Sequence, residues 1–255
     1  MDKINQSKDF SILILAAGIG SRFNKSNFNL PKSLIKINRK PLLEIILKNL
    51  KIRGYEDINM ILGYKYSTIT NFLNQKKNLP KIEYKVIRNY SVYGHGYSLY
   101  KFKDLWLKKK KNVIMLHADL YYDWKYFDDI VSNMHKNIIG MTNYKFKQSD
   151  SKALAISLDD SFKIKSIGYK KDLKKPNGQV VCINKFSSDM MKKIFIYMNK
   201  YYMSKSNKKN SWEFVFNNFI KETNASFYSN NSKPYPWFNI NTIDDLKSAE
   251  TYDLS

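Results

Sequence analysis

Residues 10–22, FSILILAAGIGSR, constrain this chain more than any other stretch. Phe10 to Leu15 form an apolar run that is short, branched and bounded by turn residues, which predicts a buried strand. The run gives way at once to Ala16-Ala17-Gly18-Ile19-Gly20-Ser21-Arg22, and Pro31-Lys32 follows some ten residues on. Small side chains let a backbone approach a ligand and aim its N–H groups at it, and glycine adopts the angles that such a loop needs. Arg22 and Lys32 add fixed positive charge suited to a polyphosphate. The stretch reads as a strand feeding a triphosphate loop.

Two familiar phosphate motifs are excluded. A Walker loop ends in Gly-Lys-Ser/Thr, which the stretch lacks, and a dinucleotide fingerprint needs a third glycine where Phe23 stands. The pattern LxxGxGxR followed by PK instead resembles the signature of the nucleotidyltransferase superfamily. Those enzymes join a nucleoside triphosphate to a phosphorylated small molecule and release pyrophosphate. The resemblance implies that Leu15, Ala16, Ala17, Gly18, Gly20, Ser21, Arg22 and Lys32 surround the nucleotide.

The resemblance continues in family order. Leu42, Leu43, Ile46, Leu47 and Leu50 recur at helical spacing, and Gly54 stops the helix. A strand over 58–62 ends in Gly63-Tyr64, a pair that family members place in a loop facing the nucleotide and that also follows many ordinary strands. Bacterial phosphocholine cytidylyltransferases and their phosphonate-handling relatives then have an asparagine and a short loop ending in Ser-Leu before a helix. Asn89, Ser98 and Leu99 match, whereas Gly94-His95-Gly96 stand where asparagines are usual. His95 has two readings, a contact to base or phosphate and a solvated loop histidine.

The run NVIMLHAD (112–119) predicts a third buried strand ending in an acid. By position alone Asp119 is equally a metal ligand and a cap for the following turn; the family order assigns it to metal, with Mg2+ held by one or two carboxylates plus substrate phosphates. The stretch PWFNINTIDDLKSAE (236–250) resembles the family's closing motif, with Thr242 and Asp245 in a Thr-x-x-Asp helix start. The second metal position is Asn241, where aspartate is usual; N-acetylglucosamine-1-phosphate uridylyltransferases of the same superfamily also carry asparagine there. The loss of one negative charge predicts weaker metal binding before the nucleotide arrives. Asn239, where choline-type relatives often carry glutamate, is a further departure.

On the acceptor side, Glu213 in SWEFVFNNFI resembles an acidic helix residue of choline-type enzymes. Tyr121, Glu213 and Trp237 are the expected acceptor contacts, with Trp212 and Tyr122 as further aromatic candidates; in a chain so rich in aromatics, Trp212 and Trp237 have the competing and commoner reading of core residues. The resemblance implies CMP transfer from CTP to a small phosphorylated amine, alcohol or phosphonate, with Arg22, Lys32 and Asp119 catalytic. Two alternatives stand beside it: a sugar-1-phosphate nucleotidyltransferase and a catalytically silent nucleotide-binding regulatory subunit.

Composition sets the outer bounds. With 255 residues, 43% hydrophobic, the chain can bury a core of one α/β domain, residues 1–9 forming an extension. The net charge of +22 raises nucleic acid as a partner, but the charge is mostly lysine spread along the chain, and no nucleic-acid-binding motif is present. The one cysteine, Cys182, sits in an apolar run, and with no apolar run of membrane length or signal segment the expected compartment is the cytoplasm. The oligomeric state, monomer or homodimer, is open. Strands are expected near 10–15, 57–62, 82–87, 112–118, 137–143, 153–158, 163–168 and 178–184. Helices are expected near 41–53, 67–76, 97–107, 125–135, 187–202, 212–222 and 242–251. The expected fold is a Rossmann-like α/β three-layer sandwich with a mostly parallel mixed sheet, its antiparallel portion beginning near residue 137.

Overall fold

The apolar run at the start of the chain becomes the middle of a sheet. In the computed structural model, which describes residues 7–20, 23, 30–142, 153–230 and 235–254, Phe10–Ala16 form β1, and Ile12, Leu13 and Ile14 are fully buried. After it come β2 (Lys36–Ile37), β3 (Lys40–Pro41), α1 (Leu42–Ile52), β4 (Ile58–Leu62), α2 (Tyr66–Gln75), β5 (Ile82–Val86), α3 (His95–Trp106) and β6 (Asn112–His117). The remainder is β7 (Leu120–Tyr122), α4 (Trp124–Ser132), β8 (Ile138–Thr142), β9 (Leu154–Leu158), β10 (Ile164–Tyr169), β11 (Gly178–Phe186), α5 (Ser188–Tyr201), α6 (Trp212–Thr223), β12 (Tyr228–Ser229), β13 (Trp237–Asn239) and α7 (Ile243–Glu250).

The main sheet has the order β10-β9-β11-β6-β1-β4-β5, with β8 beside β11 and β12 beside β8. β6, β1, β4 and β5 run parallel because each strand-to-strand connection is a helical crossover. β11 runs antiparallel to β6, β8 and β9, so the sheet changes character where the closely spaced strands begin. Helices cover both faces. Phe186 of β11 packs on Phe216 of α6 (5.4 Å between ring centres), while the preceding Lys185 points to the opposite face, where its Nζ donates to the carbonyls of Val131 (3.0 Å) and Asn133 at the end of α4.

Helix α1 illustrates how the local sequence dictates its own ends. Its predicted stripe, Leu42, Leu43, Ile46, Leu47 and Leu50, is buried throughout. Gly54 takes φ +76°, and the N–H groups of Gly54 and Tyr55 donate to the carbonyls of Lys51 (2.9 Å) and Leu50 (3.0 Å), the paired bonds of a Schellman cap. Five short strands escape the sequence patterns. β2, β3, β7, β12 and β13 each span two or three residues, too few to show an alternation, and only the pairing partner defines them. The β2–β3 hairpin turns through Asn38 and Arg39, both at positive φ, without the glycine that announces such a turn. No described helix is long and apolar enough to cross a membrane.

Candidate active site

The strand order reverses at β1: β4 and β5 lie on one side, β6 on the other. Such a switch point opens a crevice at the carboxyl ends of the strands. Leu15 pairs with His117, and the Ala118 N–H donates to the Leu15 carbonyl (3.1 Å), so the loop after β1 and Asp119 emerge side by side. Gly20 has φ +66°, and a Cβ there would lie 2.8 Å from Cγ of Lys32. The missing side chain lets the Lys32 stem lie across the loop. Lys32 Nζ then stands 3.1 Å from Asp119 Oδ2 and 2.5 Å from Asn241 Oδ1.

Two devices bring Asn241 to this point. β7 pairs antiparallel with β13, Leu120 opposite Asn239, and the Ile240 N–H donates to the Asp119 carbonyl (2.9 Å). Asp245 accepts from the N–H groups of Asn241 (2.9 Å) and Thr242 (2.8 Å), while Thr242 Oγ1 accepts from the Asp245 N–H (3.1 Å). This is the expected capping box of α7, and it also orients Asn241. Asp245→Ala is expected to cost about 1 kcal/mol of stability, as a lost cap does. Turnover should fall roughly tenfold, as when a supporting partner of a ligand is removed. A thermal melt with steady-state turnover checks both, and full turnover would leave the placement of Asn241 to the β7–β13 pairing alone.

Burial by itself raises the Asp119 carboxyl, but the charges of Lys32 and His117 and the Lys32 hydrogen bond outweigh it and hold the group below the usual range. An ionised carboxylate and an amide oxygen meeting at one cation are hard oxygen donors of the kind that Mg2+ takes. Among the described residues there is no group of three or more His, Cys, Asp or Glu that could hold a metal unaided. The donor set therefore fits an ion shared with a bound polyphosphate.

The flanking loops converge on the same crevice. The Tyr64 N–H donates to the Ala17 carbonyl (3.1 Å), and a Cβ on Gly63 would meet that oxygen at 2.6 Å, so the Gly63-Tyr64 loop packs directly against the first. Leu15 and Ala17 are buried, whereas Ala16, Gly18 and Gly20 are more open. Asn89 is exposed and its carbonyl accepts from Val92 and Tyr93, opening the turn into α3; Ser98 is buried in that helix. Ser21 and Arg22 lie outside the described residues.

The aromatic candidates are placed differently from one another. Tyr121 is buried; its hydroxyl donates to the Tyr252 carbonyl (3.1 Å) and accepts from the Leu254 N–H (2.7 Å). That geometry suits an anchor for the C-terminal segment better than a wall of an acceptor pocket. Trp212 is fully buried, and its indole N–H donates to His117 Nε2 (3.1 Å). Trp237 is half-buried, opposite Tyr122 in the β7–β13 ribbon. Glu213 is buried beside His95, with 3.7 Å between Oε2 and Nε2. Asn239 Oδ1 is buried without a hydrogen-bond partner among the described residues.

Comparison with known proteins gives the family and the fold. Residues 11–255 match the family described as Nucleotidyl transferase. The chain belongs to the nucleotidyl transferase family. It is 24% identical over 243 residues to a choline-phosphate cytidylyltransferase of Streptococcus pneumoniae, covering 93% of this chain and 96% of the relative. It is 24% identical over 226 residues to a 2-aminoethylphosphonate cytidylyltransferase of Lancefieldella rimae, covering 89% and 87%. The solved structure of the CTP:phosphocholine cytidylyltransferase from Streptococcus pneumoniae superposes with a TM-score of 0.72 at 21% identity, over 95% of this chain and 98% of that one, which shows a shared fold. This protein is thus an enzyme that transfers nucleotidyl groups.

His117 is a residue of this nucleotidyltransferase that sequence reasoning does not single out. The signal is its place two residues before Asp119 at a strand end, since alternate residues share a side. Burial, helped by the charge of His95, pushes its imidazole down to about 4. The bond from Trp212 fits this, because it needs a lone pair on Nε2. With the folded value below the ordinary one of about 6.5, the unfolded chain binds the extra proton in that window. Stability is therefore expected to fall as the pH drops from about 6.5 towards about 4. Thermal midpoints against pH for the wild type and His117→Gln check this: their difference should shrink across the window, and a constant difference would count against it.

Proposed function

We propose that this nucleotidyltransferase transfers CMP from CTP to a small phosphorylated acceptor, a phospho-amine, phospho-alcohol or phosphonate, and releases pyrophosphate. The observation that carries this is the meeting of Lys32 with Asp119 and Asn241 at the sheet's switch point, with buried Glu213 at the start of α6. Relatives of nearly the same length with cytidylyltransferase activity support CTP as the donor.

An oxygen of the acceptor's phosphate or phosphonate attacks the α-phosphorus in line. One P–O bond forms, the α–β bridging bond breaks, and pyrophosphate leaves with the bond's electrons. The attacking oxygen is already ionised, so no general base is required. Lys32 holds the α-phosphate and the attacking oxygen together and offsets their charge, and Arg22 does the same for the leaving β- and γ-phosphates. Backbone groups of residues 15–21 with Gly63, Tyr64, Asn89 and Ser98 enclose the nucleotide. Asp119 and Asn241 would hold Mg2+, which supplies charge neutralisation at the triphosphate. Glu213 and Trp237 face the acceptor's far end in this reading.

Pyrophosphate release in magnesium, with CTP, UTP, GTP and ATP each paired with phosphocholine, 2-aminoethylphosphonate, glycerol 3-phosphate and sugar 1-phosphates, tests the proposal. Turnover with CTP and a small phospho-amine, phospho-alcohol or phosphonate is expected. Turnover confined to sugar 1-phosphates would replace it with the synthesis of a nucleotide sugar, and nucleotide binding without turnover would favour a regulatory role.

A further inference from the structure

We infer that the free edge of β5 is the interface of a homodimer, in which two copies pair antiparallel through residues 82–86 and join their sheets into one. β5 ends the order of the main sheet and pairs only with β4. The Ile87 N–H donates to the Leu62 carbonyl (2.8 Å), so the backbone groups of alternate residues, 83, 85 and 87, face β4. Those of Ile82, Tyr84 and Val86 therefore face outward, and among the described residues none of the three makes a backbone bond outside the sheet. Such an open row of donors and acceptors is a template for another strand. At the far end of the sheet the corresponding groups are engaged: in β10 the Ile164 N–H donates to the Phe227 carbonyl (2.8 Å) and the Ile167 N–H to Asn217 Oδ1 (3.0 Å).

The order of β5, IEYKV, makes a second copy of this chain the fitting occupant. About a two-fold axis at Tyr84, Tyr84 lies opposite itself, Ile82 opposite Val86 of the partner subunit, and Glu83 opposite Lys85 of the partner subunit. Alternate side chains share a face, so the apolar row Ile82, Tyr84 and Val86 meets the same row reversed, while the charges meet on the other face. One copy leaves that row incompletely covered: Tyr84 is 48% exposed, and Ile82 and Val86 are half-buried. Sliding the strands by two residues sets Glu83 against Glu83 or Lys85 against Lys85, and like charges directly opposite are unfavourable. The strand is thus complementary to itself in one register.

The surrounding charges extend the match. Within one copy Glu83 pairs with Lys108 (3.2 Å) and Lys85 with Asp104. Across the two-fold these pairs join as Lys108, Glu83, Lys85 and Asp104, alternating in sign, once on each side of the axis. Helix α3 packs on β1, β4 and β5 together, so it is seated inboard of the edge and leaves room for the second copy. The contact is isologous and uses one edge of each sheet, so assembly closes at two chains. Five strand residues a side are few beside the roughly 20–30 of a standard interface, so a dissociation constant of about 1–100 μM is expected.

Sedimentation velocity of the full-length protein over a concentration series spanning about 1–300 μM tests this. The mass should rise from 30.1 kDa towards twice that value. Tyr84→Pro removes an outward N–H, which an edge strand tolerates, and should hold the mass at one chain. Lys85→Glu and Glu83→Lys each set like charges opposite one another and should also stay monomeric. An equimolar mixture of those two variants should associate again, because each then meets its opposite charges. Thermal melts show that each variant is folded; if Tyr84→Pro is not, the two charge variants and their mixture still decide. A wild type that remains a single chain throughout, a dimer that survives in both charge variants, or a mixture that stays monomeric would overturn the inference.

Discussion

Replacing Lys32 by alanine is expected to lower turnover by about 10² to 10³-fold, the cost of removing one preorganised transition-state donor. Lys32 Nζ is the one cation placed on both Asp119 Oδ2 (3.1 Å) and Asn241 Oδ1 (2.5 Å) among the described residues, and its stem is held across Gly20. The side chain is therefore fixed before the substrate arrives, and in the proposed mechanism its charge faces the attacking and α-phosphate oxygens. The same geometry predicts an opposite effect on metal. Without Lys32 the Asp119 carboxylate loses its competing cation, so Mn2+ or Mg2+ should bind the nucleotide-free variant more tightly than the wild type. Stopped-flow turnover and metal titration of the folded variant measure the two effects. Unchanged turnover would sink the catalytic role, and weaker metal binding would mean that Lys32 helps to shape the site instead of competing for it.

If Asp119 holds the metal as proposed, Asp119→Asn should lower turnover by about 10² to 10³-fold, because a bound metal supplies several kcal/mol of charge stabilisation and Asn241 carries no charge. Size is conserved, and the Ile240 N–H still finds the carbonyl of residue 119, so the β7–β13 ribbon should survive. Asn241→Asp is the complement. It adds a second carboxylate beside Lys32 and should reduce the Mg2+ concentration for half-maximal activity severalfold, since affinity in such oxygen sites rises with the number of charged ligands. The magnesium dependence of pyrophosphate release reads both variants. An Asp119→Asn enzyme with wild-type turnover would remove metal anchoring from this aspartate, and an unshifted Asn241→Asp curve would show that residue 241 serves only as a partner of Lys32.

The long elements were legible because their periodicity is strong. The stripe of α1, the apolar runs of β1, β4 and β6 and the Thr242–Asp245 cap appear in the structure at the expected places. The acceptor side was less legible. Tyr121 and Trp212 are aromatic residues near segments of interest, but composition cannot tell a buried anchor from an exposed wall. His95 stood open between two readings, and the structure sets it beside Glu213 because glycines at 94 and 96 let α3 approach the 209–212 backbone.

What the amino-acid order determined by itself was local: which segments bury one face, where helices start and stop, and that a small-residue loop with Lys32 follows the first strand. Short-range sterics, capping bonds and burial of apolar side chains suffice for that, since each acts within a few residues. Tertiary structure decided which distant residues share a point in space. Asn241 reaches Asp119 only through the pairing of β7 with β13, strands too short to have a pattern. Glu213 comes to lie buried beside His95 only because α6 docks against the start of α3. Those contacts cost chain entropy to form and depend on the packing of the whole sheet, so no window of sequence contains them.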